Sequence, residues 1–452
     1  MKRLSSVLLA ASSLLWSLLG LGAERPHYGG TLHIELRESP PSLDPVMLSA
    51  TAPKSLSRLV FETLVEMDEN GRPKPLLASS WQAEPGNQRW RFLLHSGVCF
   101  SDGTPLDAAA VVASLRNSST EWRVLPDGNS VIIETETPDP DIPAELALVH
   151  HAVVRRSDGK LVGTGLFTIV QWTRGQHSSL KANDAYWGGR PFLDSVDVEF
   201  NKNDRDQMMA LDLGKTDVAQ VAAENIHRTQ AQNRTVLTSE PSELIALVFA
   251  NQPRSDDEIR ARNALALSID TAALNNVVLQ GGGEPTAALL PTWASGYGFI
   301  FGKASGGNDR RWLLSQRKNQ TWTFAFDASD PIQRVIAQRV GLNARDAGIV
   351  LDLSGSAATP DLRLVRIPLA SSEPHVALRE LAMSLEFPRP RFANDSVAEL
   401  YAAEKKLLQS QRVIPLLHVQ SGILMRPIVH DFSMFPDGMW HGENVWLSTE
   451  TP

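Results

Sequence analysis

Residues 162–200 read VGTGLFTIVQWTRGQHSSLKANDAYWGGRPFLDSVDVEF. Leu166, Thr168, Val170 and Trp172 alternate with Phe167, Ile169 and Gln171, a period of two that predicts a strand apolar on both faces. Gly163 and Gly165 loosen the backbone just ahead of it. Arg174-Gly175 breaks the run and Leu180 to Ala182 continues it. A second turn through Asn183-Asp184, Gly188-Gly189 and Pro191 then leads to Val196, Val198 and Phe200. These pieces predict a small antiparallel sheet. Read alone it is a structural hairpin with a buried Tyr186-Trp187 pair.

Upstream, Thr31 to Leu36 is a short strand entered through Gly29-Gly30, and Pro40 to Pro45 (PPSLDP) is a loop, since prolines suit neither a helix interior nor a central strand. Leu56, Leu59, Val60 and Leu64 have helical spacing over Ser55 to Leu64. Trp90 to Leu94 reads as a strand, and Asp107 caps a helix whose Val111, Val112 and Leu115 share one side. Downstream, Leu244 to Phe249 is an apolar strand. Ser255 and Glu258 form a capping box for a helix with Ile259 and Leu265 inward, and Asp270 caps another that Gly281 stops.

Further on, Trp322, Phe324 and Phe326 alternate on a strand. Asp330-Pro331 opens a helix with Ile332, Val335, Ile336 and Val340 on its apolar face, ending at Gly348, and strands follow at Ile349 to Leu353 and Leu362 to Ile367. This β-α-β-β order implies a parallel pair with a crossover helix, hence an α/β lobe. Ser396 and Glu399 cap a last helix with Val397, Leu400, Tyr401, Leu407 and Leu408 inward, before the apolar run Ile414 to Val419.

Composition narrows the class. Lys2 and Arg3 precede a long apolar run that ends in Gly20, Gly22 and Ala23, so residues 1–23 read as a cleaved secretory signal; an uncleaved membrane anchor is the alternative. The formal net charge of −8 becomes −10 once the two charges of Lys2 and Arg3 are removed. That balance argues against nucleic acid or an anionic membrane as partner. Cys99 is the single cysteine, so no internal disulfide forms and no cysteine stands at the cleavage site for lipidation. We read Cys99 as a small apolar residue rather than a nucleophile. His150 and His151, adjacent in a presumed strand, point to opposite faces and cannot chelate one ion. No His/Cys/Asp cluster has ligand spacing, so neither metal nor cofactor is expected. Gly281-Gly282-Gly283 follows a helix and is a stop, not a phosphate cradle.

The wording of several stretches goes beyond their pattern. GTGLF followed by NDAYWGGRPFLD resembles the central block of the family 5 extracellular solute-binding proteins, the dipeptide, oligopeptide and nickel receptors of ABC importers. The opening GGTL strand with its LDP loop, GVCFSDGTPLDAAAVVASL, the Gly214-Lys215-Thr216-Asp217 step and FANQPRSDDEIRARNALALSID resemble further family segments. The family usually has lysine where Cys99 stands, histidine where Ser101 stands and arginine where Thr271 stands. The resemblance weakens between Ile367 and Ala393. It implies a periplasmic-binding-protein-like α/β fold of two lobes hinged around a ligand cleft, plus a smaller inserted lobe. The implied division is a signal peptide at 1–23, a first lobe from 24–54, 160–245 and 425–452, an inserted second lobe at 55–159 and a third lobe at 246–424.

The same resemblance implies a monomeric periplasmic receptor, not a lipoprotein, that captures a short peptide by lobe closure and delivers it to ABC permease subunits. Other solutes, such as an oligosaccharide or a nickel chelate, and retirement to sensing stay open. An enzyme is disfavoured because the sequence has no nucleophile elbow, zinc-type histidine pair or carboxylate pair at a meaningful spacing. Peptide-binding members place an aspartate after the last strand of the third lobe to meet the peptide's amino group. Here Ser371-Ser372-Glu373-Pro374 stands there, making Glu373 the candidate. Trp293, Tyr297 and Trp440 are candidate cleft aromatics, and Asn251 and His418, on segments expected to cross between lobes, complete the set.

Overall fold

The computed structural model describes residues 25–119, 121–157, 159–302, 320–353 and 359–448; the expected signal peptide lies outside them. Three sheets carry the architecture, and each defines one lobe.

The first lobe is built on a seven-stranded sheet. Its centre, Thr31–Glu35, pairs in parallel with Ser195–Glu199 on one side and Val218–Val221 on the other. His177–Ala182 and Phe167–Thr173 extend it antiparallel, and Gly422–Met425 and Val236–Thr238 finish the other end. The decisive stretch is therefore the edge of a mixed sheet rather than a separate small one. Its first strand is not apolar on both faces: the register shifts between Ile169 and Gln171, and Val170 is 63% exposed. A bulge turns the side chains of an edge strand relative to strict alternation, and here it sends Val170 to solvent.

Gly163 and Gly165 act through close approach rather than flexibility. Neither has a positive φ, and a Cβ on Gly163 would meet the Val60 carbonyl oxygen at 1.9 Å. That approach also explains why the helix expected to reach Leu64 spans only Thr51–Arg58. The carbonyls of Leu59 and Val60 accept from the N–H groups of Phe167 (2.9 Å) and Gly165 (3.0 Å), so they cannot continue a helix. Tyr186 and Trp187 are half-buried, and both donate to Glu62.

The second lobe is a four-stranded antiparallel sheet ordered Ala78–Ala83, Arg89–Leu94, Ser130–Glu134, Arg123–Asp127. Helix Ala108–Ser118 packs on it, capped as expected by Asp107, which accepts from Ala110 N at 2.8 Å. Phe92, Val111, Leu115, Val131 and Ile133 fill its core. His150 and His151 lie on the 3₁₀ turn Val149–His151, not on a strand, and their rings sit 4.1 Å apart.

The third lobe has a six-stranded sheet ordered Gly283–Pro285, Val413–Val419, Glu243–Phe249, Leu362–Pro368, Gln320–Ala325, Ile349–Asp352. Gln320–Ala325 is parallel to both neighbours, with helix Pro331–Asp346 as the crossover. Val335 (43%) and Val397 (59%) are exposed and Ile259 is only half-buried, although the sequence pattern turned all three inward. Alanines occupy the buried stripes instead: Ala261 and Ala264 in one helix, Ala337 and Ala344 in another. Small side chains let helices approach a sheet closely, and a pattern of large residues overlooks them.

The chain passes between the first- and third-lobe sheets at 239–242 and at 420–421. The two crossings lie side by side: Ser239 N donates to Ser421 O (3.0 Å) and Ser421 N to Ser239 Oγ (2.9 Å). Asn251 is exposed beyond the far end of Glu243–Phe249, because that strand already pairs with the third lobe on both sides.

Candidate functional site at the junction of three lobes

Helix Thr51–Arg58 points Lys54 and Arg58, four residues apart and on one face, toward the place where the lobes meet. A cavity of about 30 Å³ lies there, lined by Lys54 and Asp437 of the first lobe, Leu148 and His150 of the second, and Ala370 and Ser371 of the third. A chamber of about 340 Å³ adjoins it between the first and second lobes, lined by Arg58, Glu62, Glu66, Lys74, Tyr186 and Glu443 among others. Arg58, Ala147 and Phe435 line both spaces.

Burial dominates the electrostatics of the small cavity. It lowers the Lys54 ammonium against the opposing pull of Glu380 and Asp437, raises the Asp437 carboxyl, and lowers His150 to about 4. In the chamber, Glu66 receives Arg58 at 3.3 Å and Lys74 at 3.1 Å. Glu62 accepts from Tyr186 Oη at 2.6 Å and Trp187 Nε1 at 3.1 Å, and burial raises its pKa. Burial raises Glu443 more than any other single influence, but the hydrogen bond with His441 Nδ1 (3.1 Å), the charges of His441 and Arg58 and a backbone hydrogen bond together outweigh it, and the net shift is downward.

The second and third lobes touch through ions. Arg379, 2% exposed on helix Pro374–Ser384, reaches Asp139 (3.0 Å), Asp141 (2.9 Å) and Glu145 (3.3 Å). Arg389 bridges Glu121 at 2.7 Å and Glu145. Among the described residues Asp141, Glu373 and His375 bring one donor atom each within 4.8 Å of one another, a grouping that could ligate a metal and that no sequence spacing announced. The guanidinium of Arg379 already supplies positive charge to Asp141 there.

Glu373 caps its helix, with Oε2 accepting from Val376 N (2.7 Å) and Oε1 bonded to His375 Nδ1 (2.9 Å). Trp293 is half-buried and donates Nε1 to Pro241 O at 2.9 Å. Tyr297 is buried and donates to Glu404 at 2.8 Å. Trp440 is buried against Phe432, and His418 is buried on Leu289 O with its pKa lowered to about 4 by desolvation. These side chains and the exposed Asn251 line neither of the two spaces. Those that do, Lys54, Arg58 and Glu62, were passed over in the sequence. A signal existed for Glu62, a lone carboxylate inside the apolar run Val60-Phe61-Glu62-Thr63-Leu64.

The family described as bacterial extracellular solute-binding proteins, family 5 Middle, matches residues 72–359. The chain is 22% identical over 350 residues to the probable D,D-dipeptide-binding periplasmic protein DdpA of Escherichia coli K12, covering 70% of this chain and 68% of that one. It is 25% identical over 277 residues to the glutathione-binding protein GsiB of Pectobacterium atrosepticum, covering 55% of this chain and about half (54%) of the relative. Among solved structures it superposes on the Escherichia coli murein tripeptide binding protein MppA with a TM-score of 0.79 at 18% identity, covering 93% of this chain and 99% of that one. The oligopeptide-binding protein AppA of Bacillus subtilis, solved with a nonapeptide, gives 0.77 at 17% identity, covering 94% and 100%. The α/β lobes expected from the sequence are thus found in known structures, and the chain belongs to the family 5 bacterial extracellular solute-binding proteins.

Proposed function

We propose that this chain is the periplasmic solute-capturing component of an ABC importer, that its solute is a short peptide, and that it works as a monomer without catalysis or cofactor. The observation that carries the reading is the convergence of side chains from all three lobes on one small cavity. A solute bound where the lobes meet touches more than one of them, so its binding energy favours the arrangement in which the lobes are together. The names of DdpA, a probable D,D-dipeptide-binding protein, and GsiB, a glutathione-binding protein, support a peptide. Export by residues 1–23 and the three-lobe division belong to the same reading, with the passages between first and third lobes at 239–242 and 420–421 in place of the expected 245 and 424. No helix among the described residues is long and apolar enough to cross a membrane.

A thermal-shift screen of the mature chain with di- to pentapeptides, oligosaccharides and nickel–histidine tests it. Peptides are expected to raise the melting temperature, since a ligand at 100 times its Kd stabilises by about 2.7 kcal/mol. Stabilisation by sugars or nickel alone would overturn the peptide assignment, and stabilisation by nothing in the screen would overturn the receptor reading.

A further inference from the structure

The contact between the second and third lobes gathers more carboxylate than its cations balance. Asp139, Asp141 and Glu145 of the second lobe surround Arg379, and Arg389 is shared by Glu145 and the exposed Glu121. Glu373 and Glu380 of the third lobe face the same network, Glu380 with Lys54 of the first lobe beside it. His151 Nε2 lies 3.9 Å from Glu145, but burial holds its pKa well below the usual value and it stays neutral. These six carboxylates therefore meet Arg379, Arg389, Lys54 and at most one imidazolium, that of His375. Carboxylate enclosed without matching charge is costly, so something positive belongs here when the two lobes are in contact.

The deficit is concentrated at one spot. Asp141, 6% exposed, stands at the N-cap of helix Ile142–Glu145 without capping it; its carboxylate reaches across the lobe boundary instead. Oδ2 makes no hydrogen bond and has only a share of Arg379, at 2.9 Å. His375, 3% exposed, has Nδ1 on Glu373 Oε1 at 2.9 Å and no hydrogen bond at Nε2. One atom from each of Asp141, Glu373 and His375 falls within 4.8 Å of the others. Ligand atoms about 2.0–2.2 Å from a tetrahedral Zn²⁺ stand about 3.4 Å apart, so Asp141 has to draw in by about 1.4 Å at most. An imidazole beside two carboxylates favours a borderline first-row ion over Ca²⁺ or Mg²⁺, which take oxygen. None of the three residues lines either of the two spaces.

We propose that Asp141, Glu373 and His375 form a structural Zn²⁺ site that ties the second lobe to the third, with water in the fourth position. The ion is neither catalytic nor part of solute capture; its two charges offset what Arg379 leaves unmatched. In the ion-free chain a proton on Asp141, whose pKa burial raises to about 7, offsets part of the same surplus. With the ion in place the second and third lobes move as one body, and closure is a motion of the first lobe against them.

Calorimetry of Zn²⁺ into the EDTA-treated and dialysed mature chain, with no peptide present, tests the site independently of the receptor reading. One equivalent binds to the wild type. Asp141→Asn and His375→Ala each weaken it by about tenfold or more, whereas His177→Ala, on a first-lobe strand away from the site, leaves it unchanged. The nearly isosteric Asp141→Asn carries the test if His375→Ala fails to fold. Hydrogen exchange in helices Ile142–Glu145 and Pro374–Ser384 slows with Zn²⁺ in the wild type and not in Asp141→Asn. Absence of Zn²⁺ binding overturns the proposal, as does unchanged affinity in both variants, which marks an adventitious ion on surface histidines only. Ca²⁺ bound as tightly as Zn²⁺ overturns the class of ion, and Zn²⁺ bound at these residues without slower exchange overturns the tie between the lobes.

Discussion

The contact between the second and third lobes is filled, whereas the one between the first and second is hollow. In the filled contact Arg379 and Arg389 are enclosed by Glu121, Asp139, Asp141 and Glu145. In the hollow one, Glu62 and the Arg58–Glu66–Lys74 group border a chamber of about 340 Å³. Both regions are rich in charge, but in the first the charges pair with one another across the lobe boundary. A buried ion network roughly breaks even against its desolvation cost, so it fixes how two surfaces register without holding them together strongly. A hollow lined by incompletely matched charge gains when an outside molecule matches it. On the proposed reading the two tasks are separate: the network sets the geometry of closure, and the solute drives it.

Removing one member of the network should break the comparison most severely. Arg379→Met leaves Asp139, Asp141 and Glu145 without their shared cation, and a cost of about 3–5 kcal/mol is expected in urea unfolding. A loss below about 1 kcal/mol would show that the lobes separate freely and that the contact contributes little. Gly163→Ala tests the hollow side, where the backbone at Val60 lies close against the backbone leading into strand Phe167–Thr173. The added Cβ meets the Val60 carbonyl, and a loss of about 1–3 kcal/mol is expected, with wild-type stability contradicting the close approach.

The smallest effect is a pH dependence. Burial raises the Asp141 pKa to about 7, against the pull of Arg379. The folded chain therefore holds a proton that the unfolded chain has released above about pH 4, so the stability from this group is full below pH 4 and lost as the pH rises through 7. Asp141→Asn carries no such proton. Melting curves between pH 5 and 8 should show the variant gaining on the wild type as the pH rises, and parallel curves would remove Asp141 from the pH response.

How much of this was legible in the sequence depended on whether the cause was local. The caps at Asp107, Asp330 and Ser396 were readable because a capping side chain bonds within three residues of itself. Glu373-Pro374 carried the same local signal, a cap followed by proline at the first helical position, yet the family's ligand aspartate drew attention to it as a site. The bulge beside Val170 and the early end of helix Thr51–Arg58 depend on which backbone lies alongside, and no periodicity reports that. Arg379 meets Glu145 across 234 positions of sequence. Nothing in HVALREL distinguishes that arginine from one facing water. The site was harder to read than the fold because its charges come from segments far apart in the chain.

The central claim is that a peptide-sized solute draws the lobes into the registered contact that Arg379 defines. Small-angle scattering on chain refolded from denaturant to remove any carried solute, before and after L-alanyl-L-alanine or D-alanyl-D-alanine is added, addresses it directly. The account predicts a smaller radius of gyration with dipeptide in the wild type and no such change in Arg379→Met. A wild-type radius that stays the same while calorimetry shows dipeptide bound would contradict it.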